Sequence, residues 1–179
     1  MKKIMFLLDY YLENASPNGI CCQRVAKELV NNGYEVHVVS YRPSCSKDVE
    51  LVDGVKVYKS YEYNEDDITR KNNILTKIFE YTKWINPFSK YPVYSKPKIV
   101  NAIYNVAAQV IEANNIDMVV SVYLPVDTMM AALRLKKKYT NVDFYAYMLD
   151  SVSGGIVPRF LPEKYLRWKR ILWEDKLML

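Results

Sequence analysis

The sequence predicts a doubly wound α/β fold, in which helices flank both faces of a mostly parallel, Rossmann-like sheet. Short apolar runs recur along the chain, and amphipathic stretches with helical spacing separate them. Two hydrophobic strands joined by a helix pair in parallel through a right-handed crossover, and repeated alternation of strand and helix is typical of this architecture. We expect one Rossmann-like domain over 1–179, a length that buries a sizeable core.

The first forty residues form the clearest β-α-β unit. Ile4–Leu8 is an unbroken apolar run, as expected for a strand buried on both faces. Ser16–Pro17 supplies an N-cap and a first-turn proline for a helix that runs to about Val30. Asn31–Gly33 ends this helix, and the β-branched run Glu35–Ser40 is the second strand. The apolar face of the helix is carried by four residues: Cys22, Val25, Ala26 and Leu29.

The rest of the chain continues the alternation around one irregular insertion. A short third strand, Val55–Tyr58, follows the Asp53–Gly54 turn. Residues 60–97 form an aromatic and basic insertion, in which 68–85 is compatible with a helix. The later elements are a helix from Ile99 to Asn114–Asn115, a strand over 117–122, a helix over 126–133, a strand over 141–149 and a helical stretch from about 162 onward.

Composition and charge exclude several classes of protein. The 179 residues are 50% hydrophobic, which excludes disordered, collagen-like and coiled-coil chains. The 25 basic and 20 acidic side chains give a net charge of +5, too moderate and too scattered to indicate a nucleic-acid partner. Neither GxxxxGK[ST] nor GxGxxG occurs, so the two strongest nucleotide-binding fingerprints are absent from the sequence.

Cysteine, histidine and membrane signals are sparse. An odd set of three cysteines, Cys21, Cys22 and Cys45, does not form a secreted disulfide framework, and the adjacent pair is interpreted as small buried hydrophobes. His37, the single histidine, is interpreted as a structural residue, so we expect no metal, no cofactor and no Ser-His-Asp triad. The first apolar run is too short for a signal peptide, and no stretch is long enough to span a membrane, so we expect a cytoplasmic protein.

Three loops are candidates for a binding site. Ligands of doubly wound sheets bind beyond the carboxyl ends of the strands, near the point where strand order reverses. The loops 9–19, 123–125 and 150–155 lie at that edge of the predicted sheet.

The first loop and the helix after it offer four candidates for contact with a substrate. Gly19 begins a helix whose backbone N–H groups favour an anion, although it could serve only as a turn residue. Asn18 and Ser16 contact the substrate or cap the helix. Arg24, about one turn further on along the helix, reaches an anionic acceptor or lies on a solvated face.

The other two loops offer four more candidates. Tyr123 and Pro125 shape an acceptor pocket through their ring surfaces, or pack at a strand end. Asp150 and Ser151 follow the last strand, where a carboxylate and a hydroxyl could reach a substrate or cap the next segment.

Motifs in the first 121 residues resemble those of a known family. Ser16–Gly19 is followed by a helix with Arg24 and Glu28, then by Asn32–Ser40, which reads N-G-Y-E-V-H-V-V-S, and later by Asp117–Ser121. This order is similar to the amino-terminal half of GT-B glycosyltransferases, most closely the retaining family four. That family has a glycine-bearing first loop, a G-[HY]-E-V-x-V second strand and an aspartate followed by hydrophobic residues at its fourth strand.

The resemblance implies half of an enzyme. Members pair two Rossmann-like domains across a cleft: the first mainly binds the acceptor, while the second binds the nucleotide-sugar donor and carries a glutamate pair. The chain would then be an acceptor-side fragment of a hexosyltransferase for polysaccharide or cell-surface glycans, inactive alone. By resemblance, Gly19 lies near the donor diphosphate, and Asp150 is the catalytic candidate near the transferred sugar, where the family often has a histidine.

Two alternative functions and the nature of the acceptor stay open at this point. The chain could be a non-enzymatic Rossmann-like module that binds a nucleotide or a protein, or a hydrolase or epimerase of related shape. Tyrosines and lysines interleave over 58–104, which suits sugar stacking, a membrane interface or an ordinary amphipathic surface. This pattern favours a glycan or lipid-linked acceptor, with the inner face of the membrane as a second candidate location.

Overall fold

A computed structural model of the chain describes residues 1–11, 16–43, 47–63, 82, 86, 96–123, 126–148 and 162–178. The chain divides into two compact units. The sheet unit comprises Met1–Tyr63 with Lys96–Leu149, and the helix unit comprises Asn64–Ser95 with Asp150–Leu179. Cys45 and nearly all of the 60–97 insertion, with the helix considered over 68–85, lie outside the described residues.

The sheet unit is built on six strands in the spatial order β3-β4-β2-β1-β5-β6. All neighbouring strands pair in parallel except β3 and β4, which are antiparallel. The strands are β1 (Lys3–Leu7), β2 (Glu35–Pro43), β3 (Val49–Val52), β4 (Val55–Tyr63), β5 (Met118–Val122) and β6 (Asp143–Tyr147). The predicted Rossmann-like, mostly parallel sheet is confirmed.

Three helices of the sheet unit connect these strands. They are α1 (Pro17–Asn31), α2 (Pro97–Asn114) and α3 (Val126–Lys138). The predicted N-cap is confirmed, because Ser16 Oγ accepts a hydrogen bond from the backbone N–H of Gly19 at 3.1 Å. Gly33 follows the end of α1 with a φ of 82°, a left-handed conformation that glycine adopts without strain.

The helices flank both faces of the sheet, as the doubly wound prediction requires. Because side chains alternate along a strand, odd-numbered positions of β1 and β2 pack with α2 and α3, and even-numbered positions pack with α1. The first cluster includes Met5, Leu7, Val39, Ile103 and Leu135. The second cluster includes Ile4, Phe6, Val38, Cys22 and Ala26.

The insertion begins later than the sequence predicts. The strand β4 runs to Tyr63 rather than ending at Tyr58, so residues 60–63 belong to a strand and not to the irregular insertion.

Details of three further elements differ from the prediction. The strand β3 was not expected; it pairs with β4 across a tight turn in which Asp53 and Gly54 both have positive φ. Val25, assigned to the apolar face of α1, is 41% exposed. The helix predicted over 126–133 continues to Lys138, and its most deeply buried leucine is Leu135, beyond the predicted end.

A charged cluster ties three strands together at the amino-terminal edge of the sheet. The Glu35 carboxylate lies 2.7 Å from Lys56 Nζ, 3.4 Å from Lys3 Nζ and 3.1 Å from His37 Nε2. The hydrogen bond from Lys56 is the main cause that lowers the pKa of Glu35 to about 2. His37 is fully buried between Glu35 and the Tyr58 hydroxyl, and burial lowers its pKa. The structural interpretation of His37 is therefore confirmed.

The helix unit contains α4 (Glu163–Met178), which confirms the helix predicted from about 162. Its buried residues include Leu166, Trp173 and Leu177. The Lys169 ammonium donates to the backbone carbonyl of Asn86 and lies 5.2 Å from the Trp173 ring. Within the described part of the chain, none of the helices combines the length and the apolarity that crossing a membrane requires.

Candidate functional site

The crevice between β1 and β5 is the candidate site. The chain passes from β1 to β2 on one side, whereas β5 pairs with the other side of β1, so the strand order reverses there. Open α/β sheets bind ligands outside the carboxyl ends of the two strands at such a switch point. The loops that follow β1 and β5 were both predicted to lie at this edge.

A hydrogen bond joins the two loops across the crevice. The Asn18 side-chain amide donates to the backbone carbonyl of Tyr123 at 3.3 Å. The Tyr123 backbone N–H in turn donates to the Tyr147 carbonyl at 2.8 Å, which continues the link to β6. The Tyr123 side chain is buried, so this residue offers its backbone rather than its ring to the crevice.

A second set of contacts orders the start of α1. Ser16 Oγ donates to Asp9 Oδ1 at 2.9 Å while accepting from the Gly19 N–H. Asp9 also fixes the end of β2, because its backbone carbonyl accepts from the Tyr41 N–H at 2.7 Å. Burial raises the pKa of Asp9, and the hydrogen bond from Ser16 partly offsets that rise.

Asp9 is the polar residue of this site that the sequence prediction missed. It lies two positions after the last residue of β1, where a polar side chain directly after a buried strand is a signal for the functional edge of the sheet. What could not be read from the sequence is its partner, because the contact with Ser16 depends on how the intervening loop folds.

The start of α3 is held at the β5 side of the crevice. Thr128 Oγ1 donates to the Val122 carbonyl at 2.7 Å, and Asp127 Oδ1 accepts from the Lys96 N–H at 2.6 Å. Both contacts satisfy backbone atoms at the ends of elements. Ser121 Oγ, on β5, is buried and has no hydrogen-bond partner among the described residues.

Of the other predicted site residues, Gly19 is bonded to Ser16 at the start of α1, whereas no described contact brings Arg24 to the crevice. Gly19 is buried in the first turn of α1, and Arg24 is exposed about two turns along the helix. Pro125, Asp150 and Ser151 lie outside the described residues. In the described ranges, no group of three or more His, Cys, Asp or Glu side chains is placed to hold a metal ion.

Replacing Asn18 by alanine is expected to lower the free energy of unfolding by about 1 kcal/mol, because the Tyr123 carbonyl loses its partner across the crevice. Urea denaturation followed by circular dichroism measures this loss. Asn105→Ala is the matched control, since Asn105 is exposed on α2 and alanine favours the helix. Equal stabilities of the two variants would show that the contact contributes nothing.

Comparison with solved structures identifies the fold. The sucrose-phosphate synthase of Thermosynechococcus elongatus superposes with a TM-score of 0.58 and 13% identity, over 99% of this chain and 40% of that one. The catalytic domain of starch synthase IV from Arabidopsis thaliana, bound to ADP and acarbose, gives a TM-score of 0.48 and 9% identity over 82% and 33% of the two chains. No family model matches the sequence. No curated protein matches it either.

The first of these likenesses establishes the architecture. Sucrose-phosphate synthase has the GT-B fold, and this chain has the fold of one Rossmann-like half of it. The chain spans 40% of the length of that synthase.

Proposed function

We propose that this chain is the acceptor-side domain of a retaining glycosyltransferase related to family four. The complete enzyme would transfer a hexose from a nucleotide-sugar donor to a glycan or lipid-linked acceptor, in the synthesis of a polysaccharide or cell-surface glycan in the cytoplasm. A second domain, beyond the 179 residues given, would supply most of the donor contacts.

One observation carries this proposal: nearly the whole chain adopts half of a GT-B fold. The local geometry supports it, since Asp9, Ser16 and Asn18 form hydrogen bonds at the start of α1, next to the switch point. Such groups suit the recognition of hydroxyls. The motifs of the first loop, second strand and fourth strand add support that is independent of the superposition.

The proposed roles follow from position in the fold. Asn18 and Gly19 would contact the substrate at the first turn of α1, and the loop of Tyr123 and Pro125 would border the acceptor. Arg24 would meet an anionic group of the acceptor. Asp150, followed by Ser151, would lie nearest the transferred sugar, where the protein contributes positioning and charge stabilisation.

The proposal is tested by comparing sugar transfer by the longer, two-domain protein that we propose with sugar transfer by the isolated chain. Each is incubated with radiolabelled nucleotide hexoses and a membrane extract that supplies acceptors, and labelled glycan is counted. We expect incorporation with the longer protein and none with the 179-residue chain, because half of the catalytic cleft is missing. Turnover by the isolated chain would contradict the assignment of acceptor and donor binding to two different domains. Failure of the longer protein to bind any nucleotide sugar would favour a non-enzymatic binding module.

A further inference from the structure

The helix α4 exposes large apolar side chains to solvent. Trp168 is 53% exposed, Ile171 48% and Leu172 37%. Because residues three and four positions apart lie side by side on a helix, these three form one patch, which we call the outer face of α4. Among the described helices, α4 alone exposes three such side chains. Contiguous apolar surface of this kind marks an interaction site.

The buried side of the same helix carries two cations. Lys169 and Arg170 are buried together with Leu166 and Trp173, although a charged side chain costs free energy to remove from water. Exposing large apolar side chains on the opposite side costs free energy as well. A helix at the surface of a soluble protein normally has its charges outside and its apolar stripe inside. The arrangement in α4 therefore indicates that its outer face contacts an apolar phase.

Lysines lie at both ends of the outer face. Lys164 precedes Trp168 by one turn, Lys176 follows Leu172 by one turn, and both lysines are exposed. Neither forms an ion pair with another residue of the described ranges. Asp175 is the exposed carboxylate next to Lys176. A lysine stem can lie along apolar surface while its ammonium reaches an anionic group at the edge of that surface.

We propose that the outer face of α4 docks on a membrane surface that contains anionic lipids. Interfacial helices lie in the plane of the membrane, with their apolar side chains among the acyl chains and their lysines at the phosphate groups. Tryptophan is favoured at that depth because its ring is apolar and its N–H finds a polar partner. A protein partner fits less well, since lysine is depleted in protein–protein interfaces. The proposal rests on exposure and charge, and not on the proposed glycosyltransferase activity.

Vesicle flotation tests the proposal. The chain is mixed at low ionic strength with vesicles of phosphatidylcholine and phosphatidylglycerol in equal parts, or with vesicles of phosphatidylcholine alone. We expect the anionic vesicles to carry the chain and the neutral vesicles to carry much less of it. Ile171→Gln should lower the partition coefficient roughly tenfold, because an amide replaces apolar surface that enters the acyl chains.

Two control variants separate the outer face from the rest of the surface. Ile20→Gln makes the same change at a side chain that is exposed to almost the same extent but lies on α1, and it should leave vesicle binding unchanged. Lys164→Gln should weaken binding to the anionic vesicles about fivefold. Lys137→Gln, which changes the net charge equally at an exposed position of α3, should have little effect. Should Ile171→Gln fail to fold, as judged by circular dichroism, Trp168→Gln takes its place.

Three outcomes overturn the proposal. The first is no binding of the chain to anionic vesicles, and the second is an equal loss of binding in Ile171→Gln and Ile20→Gln. The third is a dimer in sedimentation equilibrium that Ile171→Gln dissociates, because a second copy of the chain would then cover the outer face. Vesicle binding by this chain decides the proposal whether or not a longer protein transfers sugar, so the two proposals fail separately.

Discussion

Replacing Ile103 by alanine is expected to lower the free energy of unfolding by about 3 kcal/mol, a large part of the stability of an ordinary domain. Ile103 is fully buried in the cluster that joins α2 and α3 to the sheet. Alanine leaves a cavity that the surrounding side chains fill only in part, and the lost packing adds to the lost transfer of apolar surface. Urea denaturation monitored by circular dichroism gives the change from the transition midpoint.

Ile20→Ala is the matched control for this substitution. Ile20 lies in a helix of the same sheet unit but is 47% exposed. The same atoms removed there should cost less than about 1 kcal/mol, because they are already partly hydrated. A loss at Ile20 as large as that at Ile103 would mean that the assigned core does not carry the stability of the sheet unit.

Replacing Glu35 by glutamine is expected to destabilise the protein at neutral pH and to remove a pH dependence in acid. The carboxylate holds Lys3, Lys56 and His37 together, and its pKa falls from 4.5 to about 2 in the folded protein. This pKa shift corresponds to a contribution of at most about 3 kcal/mol to the free energy of unfolding. Because the side chain is 20% exposed and water screens its partners, we expect about 1–2 kcal/mol.

The direction of the pH effect follows from the lowered pKa. A carboxyl group whose pKa is lower in the folded state stabilises fully above its unfolded value, and that stabilisation is lost as pH falls from about 4.5 to about 2. The difference between wild type and Glu35→Gln should therefore shrink over this range in thermal unfolding. Asp53→Asn, at an exposed ion pair with Lys27 in the same sheet unit, is the control and should show a much smaller difference. A difference for Glu35→Gln that stays constant with pH would contradict the assignment.

The parts of the fold predicted from the sequence are those governed by local pattern. Apolar runs and helical spacing identified β1, α1 and β2 because both faces of that region are buried. The strand β3 was missed because V-E-L-V is short and half polar, and only its antiparallel pairing with β4 makes it a strand. The exposure of Val25 likewise depends on how far α1 lies over the sheet, which spacing alone does not specify.

The sequence predicted that the loops after β1 and β5 lie at one edge of the sheet, but not the hydrogen bonds that these loops form. Knowing that the strands are parallel is enough to bring the loops after β1 and β5 to one edge, as the bond between Asn18 and Tyr123 shows. The contact between Asp9 and Ser16 spans only seven positions, yet it depends on the loop conformation. The substrate-binding and catalytic roles of all the candidate residues stay predictions: Asn18, Gly19, Arg24, Tyr123, Pro125, Asp150 and Ser151.

The central place of β1 in the sheet has a consequence for the order of folding during synthesis. Its pairing with β2 needs only the first forty or so residues, so this half of the sheet can form while the chain is still being made. The other edge of β1 can pair only after β5 has been made. The hydrogen bond from the Lys3 N–H to the Asp117 carboxylate joins residues that are 114 positions apart. Closing so long a loop costs conformational entropy before the contacts between β1 and β5 can offset that loss. The strand β1, the earliest of the six to be synthesised, is thus among the last to be completed, and its unpaired edge must be kept from pairing with another chain in the meantime.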